Sequence, residues 1–594
     1  MNDPRNPASR STWRTTPGHL SDAALAATAI GMVGVITWSC NRGFDFLDES
    51  LYLLSMRSPD DIVGGATSWH LYLSPFFLAI DSSVTAARLI GLAVILVSAL
   101  LFLEAARRVP TVAEWLDWGF SRYGQYAFCV LGSLIYYFWF IRTPSYNLLS
   151  TSLVSVTAAA IVGFGVYAPS SPIRLVPFGM AGLLLAILFF IKFTAAFAAA
   201  AVLLAYLCIV TPQWLHVLKS AAVTALGASA WIAFHFLILE APGGWASKMA
   251  AALATSEAPG GAGESILTRY MTSIRALVVN LGADFWPAWV CLAALIGIRV
   301  LRPEMLRRSV VSVAFVLAIL VAVAAMGVIR RYYGWQFAAA DLLTVFVAFS
   351  IAMVACLLAL PPRVLALSGQ RRGHLAAFLG LCVFLAFAAS FGTGNAITVN
   401  ALLTLAPWFV AIMVVLSMLG HACGSLVVPR VGALLVGGFA FAQAFSGALH
   451  PYGIASPIFG QTERTEIGPG GQALWLDGRT SQYIREVRAL AAKSGLGPGG
   501  DLYFFYDSPG TVWALDARSP GRPWYDSMTD RVNREALGDV PPNRMSRAFV
   551  MVDLNGRAAP GPAELGLPFP HAYEMVGEQL QHANGHRLQL WRPR

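Results

Sequence analysis

The sequence predicts an α-helical polytopic membrane protein of about 13 transmembrane helices, followed by a small α/β domain outside the membrane. Three observations predict this. The 594 residues are 57% hydrophobic and only 12% charged, about half the charged share of an ordinary soluble chain, and the mean hydropathy is +0.61. Apolar runs of about 20 residues, the length that crosses a bilayer as a helix, recur down to residue 450 or so. Beyond that point the chain turns polar and is punctuated by Pro and Gly.

The start, 1–21, is polar and basic and reads as a cytoplasmic tail; no cleavable signal peptide is expected, and the first apolar run is long enough to span. The transmembrane region is expected over 22–449. Its spans are placed near 22–40, 84–104, 125–141, 148–168, 175–190, 194–210, 221–240, 284–300, 310–328, 337–360, 375–391, 397–419 and 431–449. Charge orients them. The tail and the segments on its side carry about sixteen basic residues, from Arg5 through Arg107, Arg108, Arg302 and Arg372 to Arg430. The opposite short segments carry fewer, so the N-terminus is expected inside. An odd span count then puts 450–594 outside, which for a bacterial cytoplasmic membrane is the periplasmic side.

Two outside segments exceed a turn, 41–83 and the Gly/Ala/Pro-rich 241–283. Such lengths are often functional. In the terminal domain, SQYIREVRALAAKSG (481–495) reads as an amphipathic helix stopped by Gly495. LYFFYD (502–507), AFVMVDL (548–554) and HRLQLWR (586–592) read as strands. The domain shows no nucleophile–base pair and no Gly-rich nucleotide loop, and reads as an acceptor-binding or stabilising module. The seven cysteines lie in or beside apolar runs without metal spacing, so they read as small apolar filler. The net charge of +9 comes from basic segments between spans and is not a nucleic-acid signal.

The first outside segment opens with FDFLDESLYLL (44–54). Asp45, Asp48, Glu49 and Tyr52 follow i, i+3, i+4, i+7 spacing, which on a helix gathers them on one polar stripe. Carboxylates beside a span are costly. Two adjacent acids against apolar surface tend to have raised pKa values, which suits acid/base work. The stripe therefore reads as a general base or cation site facing a cavity, or as the solvated face of an interfacial helix. Asp60 and Asp61 read as a loop-helix cap or a second carboxylate pair.

A first span followed by an outside loop opening D-E-x-x-Y resembles the GT-C superfamily of membrane glycosyltransferases. That superfamily includes protein O-mannosyltransferases and lipid A aminoarabinose transferases. Here the string is Asp48-Glu49-Ser50-Leu51-Tyr52, followed by SWHLYLSPFFLAI (68–80) and by a second span with an early arginine, TAARLIGLAVILVSALLFLEAARR (85–108). The resemblance extends to the many spans and the outside C-terminal domain. It implies a GT-C-type fold and an inverting transfer of sugar from a polyprenyl-phosphate donor to an envelope glycan, lipid or protein. It gives Asp48 the role of catalytic base, with Glu49 as partner or acceptor-positioning group, and leaves Asp45 secondary. A second acid between the third and fourth spans, present in some relatives, is absent here.

A lipid-phosphate donor needs outside cations or amide donors at the leaving group. IRTPSYN (141–147) offers Arg142, Tyr146 and Asn147, and FFIKFTAAF (189–197) offers Lys192. GVIRRYYGWQ (327–336) offers Arg330 and Arg331 with Tyr332. Snorkelling and interfacial aromatic belts explain such residues equally well. His70 is a further substrate-contact candidate, and Glu240, Glu257 and Glu264 are possible second acids or merely solvated loop residues. No metal-ligand set is read from the sequence; the chemistry leaves room for a divalent cation without requiring one. Two competing functions share these features: a secondary transporter, and a polysaccharide polymerase or ligase using a lipid-pyrophosphate donor. The clustering of acids at the outer lip and the outside domain weigh against the transporter.

Overall fold

A computed structural model describes residues 17–594 except 63–66, 167–174, 257–265, 308, 334–338, 361–368, 393–394, 506, 528–529, 556–560, 578–579 and 583–584. The chain starts with α1 (Pro17–Ser39), then the acidic segment, whose short helices are α2 (Asp48–Arg57) and α3 (Trp69–Ala79). The bundle continues with α4 (Val84–Ala106), α5 (Pro110–Gly119), α6 (Arg122–Leu134), α7 (Tyr146–Ala159), α8 (Val176–Val210) and α9 (Trp214–Phe234). Next come α10 (Pro242–Ser256), α11 (Ile266–Asp284), α12 (Trp286–Leu301), α13 (Ser309–Tyr333) and α14 (Ala339–Ala359). It closes with α15 (Gly369–Ser390), α16 (Ile397–Ala401), α17 (Ala406–Cys423) and α18 (Val427–Leu449).

Among the described residues ten helices are long and apolar enough to cross a membrane, eleven if the bent pair α11–α12 is one span. The expected thirteen differs for two reasons. The predicted span 125–141 is the 13-residue α6 continued by a 3-10 turn, Ile135–Trp139. The predicted spans 175–190 and 194–210 are the two halves of α8, a 35-residue stretch broken at Lys192 (φ −160°, ψ 83°), which the count of ten or eleven enters as one helix although the predicted division falls at the break. The break reverses direction. A Cβ on Gly179 would meet Val223, one on Gly182 would meet Thr224 and Ala228, and Phe190 stacks on His235 with centroids 3.5 Å apart. The first half of α8 therefore runs parallel to α9. Since α9 starts three residues after α8 ends, the second half returns the other way, with Lys192 at the apex.

The core of the bundle is α17, whose side chains are almost all buried among α4, α5, α6, α14, α15 and α18. All seven cysteines are free thiols. Beyond α18 the chain forms a hairpin, β1 (Glu463–Glu466) with β2 (Ala473–Leu476), then α19 (Gly478–Ser494). The α19 ends follow its sequence: the Asp477 carboxylate accepts the Thr480 N–H at 3.1 Å, and Gly495 takes the left-handed conformation (φ 89°) past the last turn. A five-stranded sheet follows, made of β3 (Leu502–Phe505), β4 (Phe549–Asp553), β5 (Tyr573–Met575), β6 (Leu580–Gln581) and β7 (Arg587–Pro593). Its order is β3-β4-β7-β5, with β6 also on β7; β3 and β4 are parallel and the other pairs antiparallel. The parallel pair needs a crossover, and α20 (Pro509–Ala514), α21 (Asp530–Gly538) and α22 (Pro542–Met545) supply it.

The terminal domain and the first loop share one core. Phe44, Phe46, Leu53, Trp69 and Phe77 pack with Leu474, Tyr483, Val487, Phe504 and Trp513. Polar contacts fasten the same joint. Gly43 N–H donates to the Trp475 carbonyl at 2.8 Å, Gly510 N–H to that of Phe46 at 2.9 Å, and Val84 N–H to Gln472 Oε1 at 2.9 Å. Arg544 forks onto Asp501 at 2.7 and 2.8 Å and also pairs with Asp61. Asp61 is thus an inter-domain tie, and residues Pro59–Asp61 form a 3-10 turn.

Candidate functional site: the acidic lip

The helix α2 starts because its own acids cap it. Asp45 precedes the helix, and its carboxylate accepts the N–H of Leu47 at 2.8 Å and of Glu49 at 3.1 Å. Glu49 reciprocates, its Oε2 accepting the Asp45 N–H at 3.1 Å. This is the logic of a capping box, two orphan donors satisfied by two facing acids. The expected four-residue stripe is corrected accordingly: Asp45 lies outside the helix, and Tyr52 is buried, edge-on to Trp69 and Tyr146.

Glu49 is committed further. Arg88, on the first turns of α4 and wholly buried, places Nε 2.8 Å and Nη2 2.6 Å from the two Glu49 oxygens. Its remaining donors reach the carbonyls of Cys40, Arg42 and Gly43 at 2.8, 3.1 and 2.8 Å. Thr143 also donates to Glu49. Burial alone would raise the Glu49 pKa, but the Arg88 and Arg142 charges and these hydrogen bonds hold it below the usual range. Arg142, buried, donates to the carbonyls of Ser39 and Arg42, the latter at 2.7 Å, and lies over the Phe140 ring at 4.9 Å. Two arginines thus gather the carbonyls that end α1, where a cation suits the helix dipole. Glu49 and Arg142, read from sequence as catalytic partner and substrate contact, have their charged groups engaged in holding the loop.

Asp48 is different. It is only half-buried. Burial pushes its pKa above the usual carboxylate range, and the nearby Tyr452 restrains the rise. Asp45, almost wholly buried, is pushed to about 8 by burial, against the Leu47 and Glu49 N–H donors and with the neighbouring Glu49 and Asp48 charges adding to the rise. Two tyrosines stand near Asp48, Tyr52 and Tyr146, packed edge-on with ring centroids 6.2 Å apart. Of the three acids, Asp48 alone combines partial exposure with a raised pKa.

The other candidates lie further out. His70, on α3, is buried behind Trp69, and its Nε2 has no hydrogen-bond partner among the described residues. Burial lowers its pKa to about 3, with the Lys248 charge acting the same way, so it is neutral. Lys192 donates to the Ala389 carbonyl at 2.7 Å, at the C-terminal end of α15. Arg330, Arg331 and Tyr332 lie at the C-terminal end of α13, and their side chains lie outside the described residues. So do Glu257 and Glu264. Glu240 forms a second buried acidic centre: Ser68 donates to it at 2.6 Å, Lys248 pairs with it at 2.8 Å and His235 Nε2 lies 3.4 Å away. Among the described residues no group of three His, Cys, Asp or Glu is arranged to hold a metal ion.

Sequence reading missed the roles of Arg88, Thr143 and Lys248. Arg88 carried a signal, since a charge inside an apolar run must find a partner.

No family model and no curated protein matches the chain. Among solved structures the chain is similar to ArnT from Cupriavidus metallidurans bound to undecaprenyl phosphate, with 13% identity and a TM-score of 0.41 over 96% of this chain and 97% of that one. It is also similar to the same protein in the apo state, with 12% identity and a TM-score of 0.40 over 95% and 97%.

Proposed function

We propose that the protein is an inverting glycosyltransferase of the outer face of a bacterial cytoplasmic membrane, with its N-terminus inside. It moves a sugar from a polyprenyl-phosphate donor to an acceptor hydroxyl on an envelope glycan, lipid or protein. One observation carries the reading. Of three clustered carboxylates, Asp45 is spent on capping and Glu49 on Arg88, which leaves Asp48 half-open with a raised pKa near two tyrosines. A base is most effective when its pKa approaches the working pH. The D-E-x-x-Y string beginning at Asp48 points the same way.

In this mechanism Asp48 takes the proton of the acceptor hydroxyl. The acceptor oxygen bonds to the anomeric carbon as that carbon's bond to the phosphate oxygen breaks, and polyprenyl phosphate leaves with the electron pair. In-line displacement inverts the anomeric centre. Tyr52, Tyr146 and Asn147 line the approach to Asp48. The fork of Arg88 keeps Glu49 ionised and stops it from competing for the proton.

The test is transfer from radiolabelled polyprenyl-phosphate sugars by purified protein, wild type against Asp48→Asn. The variant is expected to lose roughly 10²–10⁴-fold in rate. Undiminished transfer by a folded variant removes Asp48 from the chemistry. In the wild type, transfer should decline as pH falls through the raised Asp48 pKa, since only the ionised carboxylate accepts a proton.

A further inference from the structure

Aromatic rings form a continuous track along the seam between α1 and α18. On α18, Phe441 and Phe445 stack with centroids 5.6 Å apart. Phe445 lies 5.9 Å from Phe459, in the 3-10 turn Ile458–Gly460 that leads into the terminal domain. Phe459 stacks in turn on Trp38 of α1 at 5.4 Å. The track stays on the surface: Phe459 is 45% exposed, Trp38 is 43% exposed, and Phe441 and Phe445 are half-buried. It ends on a cation. The Arg42 guanidinium carbon lies 4.1 Å from the ring centroid of Trp38 and 5.3 Å from that of Trp475 on β2. Its Nη1 donates to the Gln461 carbonyl at 3.0 Å, and its buried Nε has no hydrogen-bond partner among the described residues. Among them Arg42 forms no ion pair either, whereas Arg88 is neutralised by Glu49.

We propose that this track binds one anionic phospholipid of the leaflet on the side of the acidic lip. The phosphodiester sits on Arg42, and an acyl chain lies along Trp38, Phe459, Phe445 and Phe441. Aromatic belts and snorkelling arginines are common at membrane surfaces, but a belt needs no unpaired cation at its end. Two indole faces attract a guanidinium without neutralising it, and at a bilayer surface the groups that neutralise it are lipid phosphates. The depth agrees. Phe441 lies about 12 Å along the helix from the Leu449 end of α18, close to the roughly 15 Å of hydrocarbon in one leaflet. The charge agrees as well. One cation matches the single charge of a phosphodiester, whereas a phosphomonoester carries about −1.5 to −2 at pH 7. The occupant is thus a resident phospholipid and not the sugar donor. Its site joins three parts of the molecule. The Arg42 side chain links the end of α1 to β2, and its carbonyl accepts Arg88 Nη1 at 3.1 Å and Arg142 Nη2 at 2.7 Å. A lipid held there braces the terminal domain and the segment leading into the lip against the membrane surface.

The experiment reads lipid binding and is independent of sugar transfer. The full-length protein, stripped of lipid in detergent, is titrated with palmitoyl-oleoyl phosphatidylglycerol, and native mass spectrometry counts the adducts. The wild type is expected to hold one lipid saturably. Arg42→Gln, which leaves the main-chain carbonyl in place, should weaken that binding about tenfold. Phe459→Ala, which removes an exposed ring, should weaken it about fivefold. The absence of a saturable adduct, or equal binding by R42Q and wild type, overturns the proposal; should R42Q not fold, equal binding by F459A does so. Equal binding of a diacylglycerol with the same chains would show that the phosphate plays no part and also overturns it. Displacement of the lipid by inorganic phosphate would show a simple anion site, and displacement by polyprenyl phosphate at equal concentration would make the donor lipid the occupant; either result overturns the assignment to a phospholipid.

Discussion

Two buried acidic centres sit on the same side of the molecule and are built in opposite ways. At the lip, Glu49 is gripped by the fork of Arg88, whose side chain is wholly buried. At the second centre, Glu240 is held by Lys248, whose side chain remains 21% exposed. Arginine offers fixed planar donors, so one residue serves both Glu49 oxygens and three backbone carbonyls at once. Lysine is a point charge, and Ser68 and His235 complete the surroundings of Glu240. The first design fixes the path of the main chain from Ser39 to Glu49. The second ties α3, α9 and α10 together through side chains alone.

Breaking the fork should have the largest effect. Arg88→Ala leaves Glu49 buried and unpaired and frees three carbonyls, so a loss of about 3–5 kcal/mol is expected. It should appear as a collapsed melting temperature in detergent and as proteolysis within 40–57. Arg88→Lys should recover only part, because an ammonium cannot span both oxygens and the carbonyls. A smaller effect is expected at the second centre. Lys248→Ala should cost about 1 kcal/mol, as a partly exposed pair does, and should leave the 40–57 segment resistant. Comparable losses at both centres would erase the contrast.

A third expectation is a pH dependence at Asp45. Its folded pKa of about 8 lies above its ordinary value of 3.8. A raised carboxyl contributes stability that is full below the unfolded pKa and is lost as pH rises through the folded one. Asp45→Asn removes the ionisation. The melting temperature of the variant relative to wild type should therefore improve between about pH 4 and pH 8. A difference that is flat across that range would show that Asp45 ionises without cost. Glu240 behaves oppositely. Burial would raise its pKa, but its partners His235, Lys248 and Ser68 hold it near 2, so its contribution is lost only in strong acid.

Much of this was legible in the chain. The apolar runs located the long helices, because span length and hydropathy are local properties. The terminal helix and three strands fell within a few residues of their predicted ends, since Asp477, Gly495 and alternating patterns act locally. The D-E-x-x-Y string drew attention to the right loop. The allocation of its acids was not legible. Whether Glu49 pairs and Asp48 stays open depends on Arg88 and Thr143, which lie 39 and 94 residues from Glu49.

The sequence by itself determined that this chain is a bundle of membrane-length helices with an acidic first loop and a terminal α/β domain. Composition, periodicity and capping are written within short windows, and they act before distant segments meet. Only the tertiary structure decided that α8 doubles back at Lys192, that the terminal domain shares a core with the first loop, and that one carboxylate of three remains available. Those outcomes depend on which donors arrive from elsewhere to satisfy buried charge, and burial sets its cost only after the parts have packed.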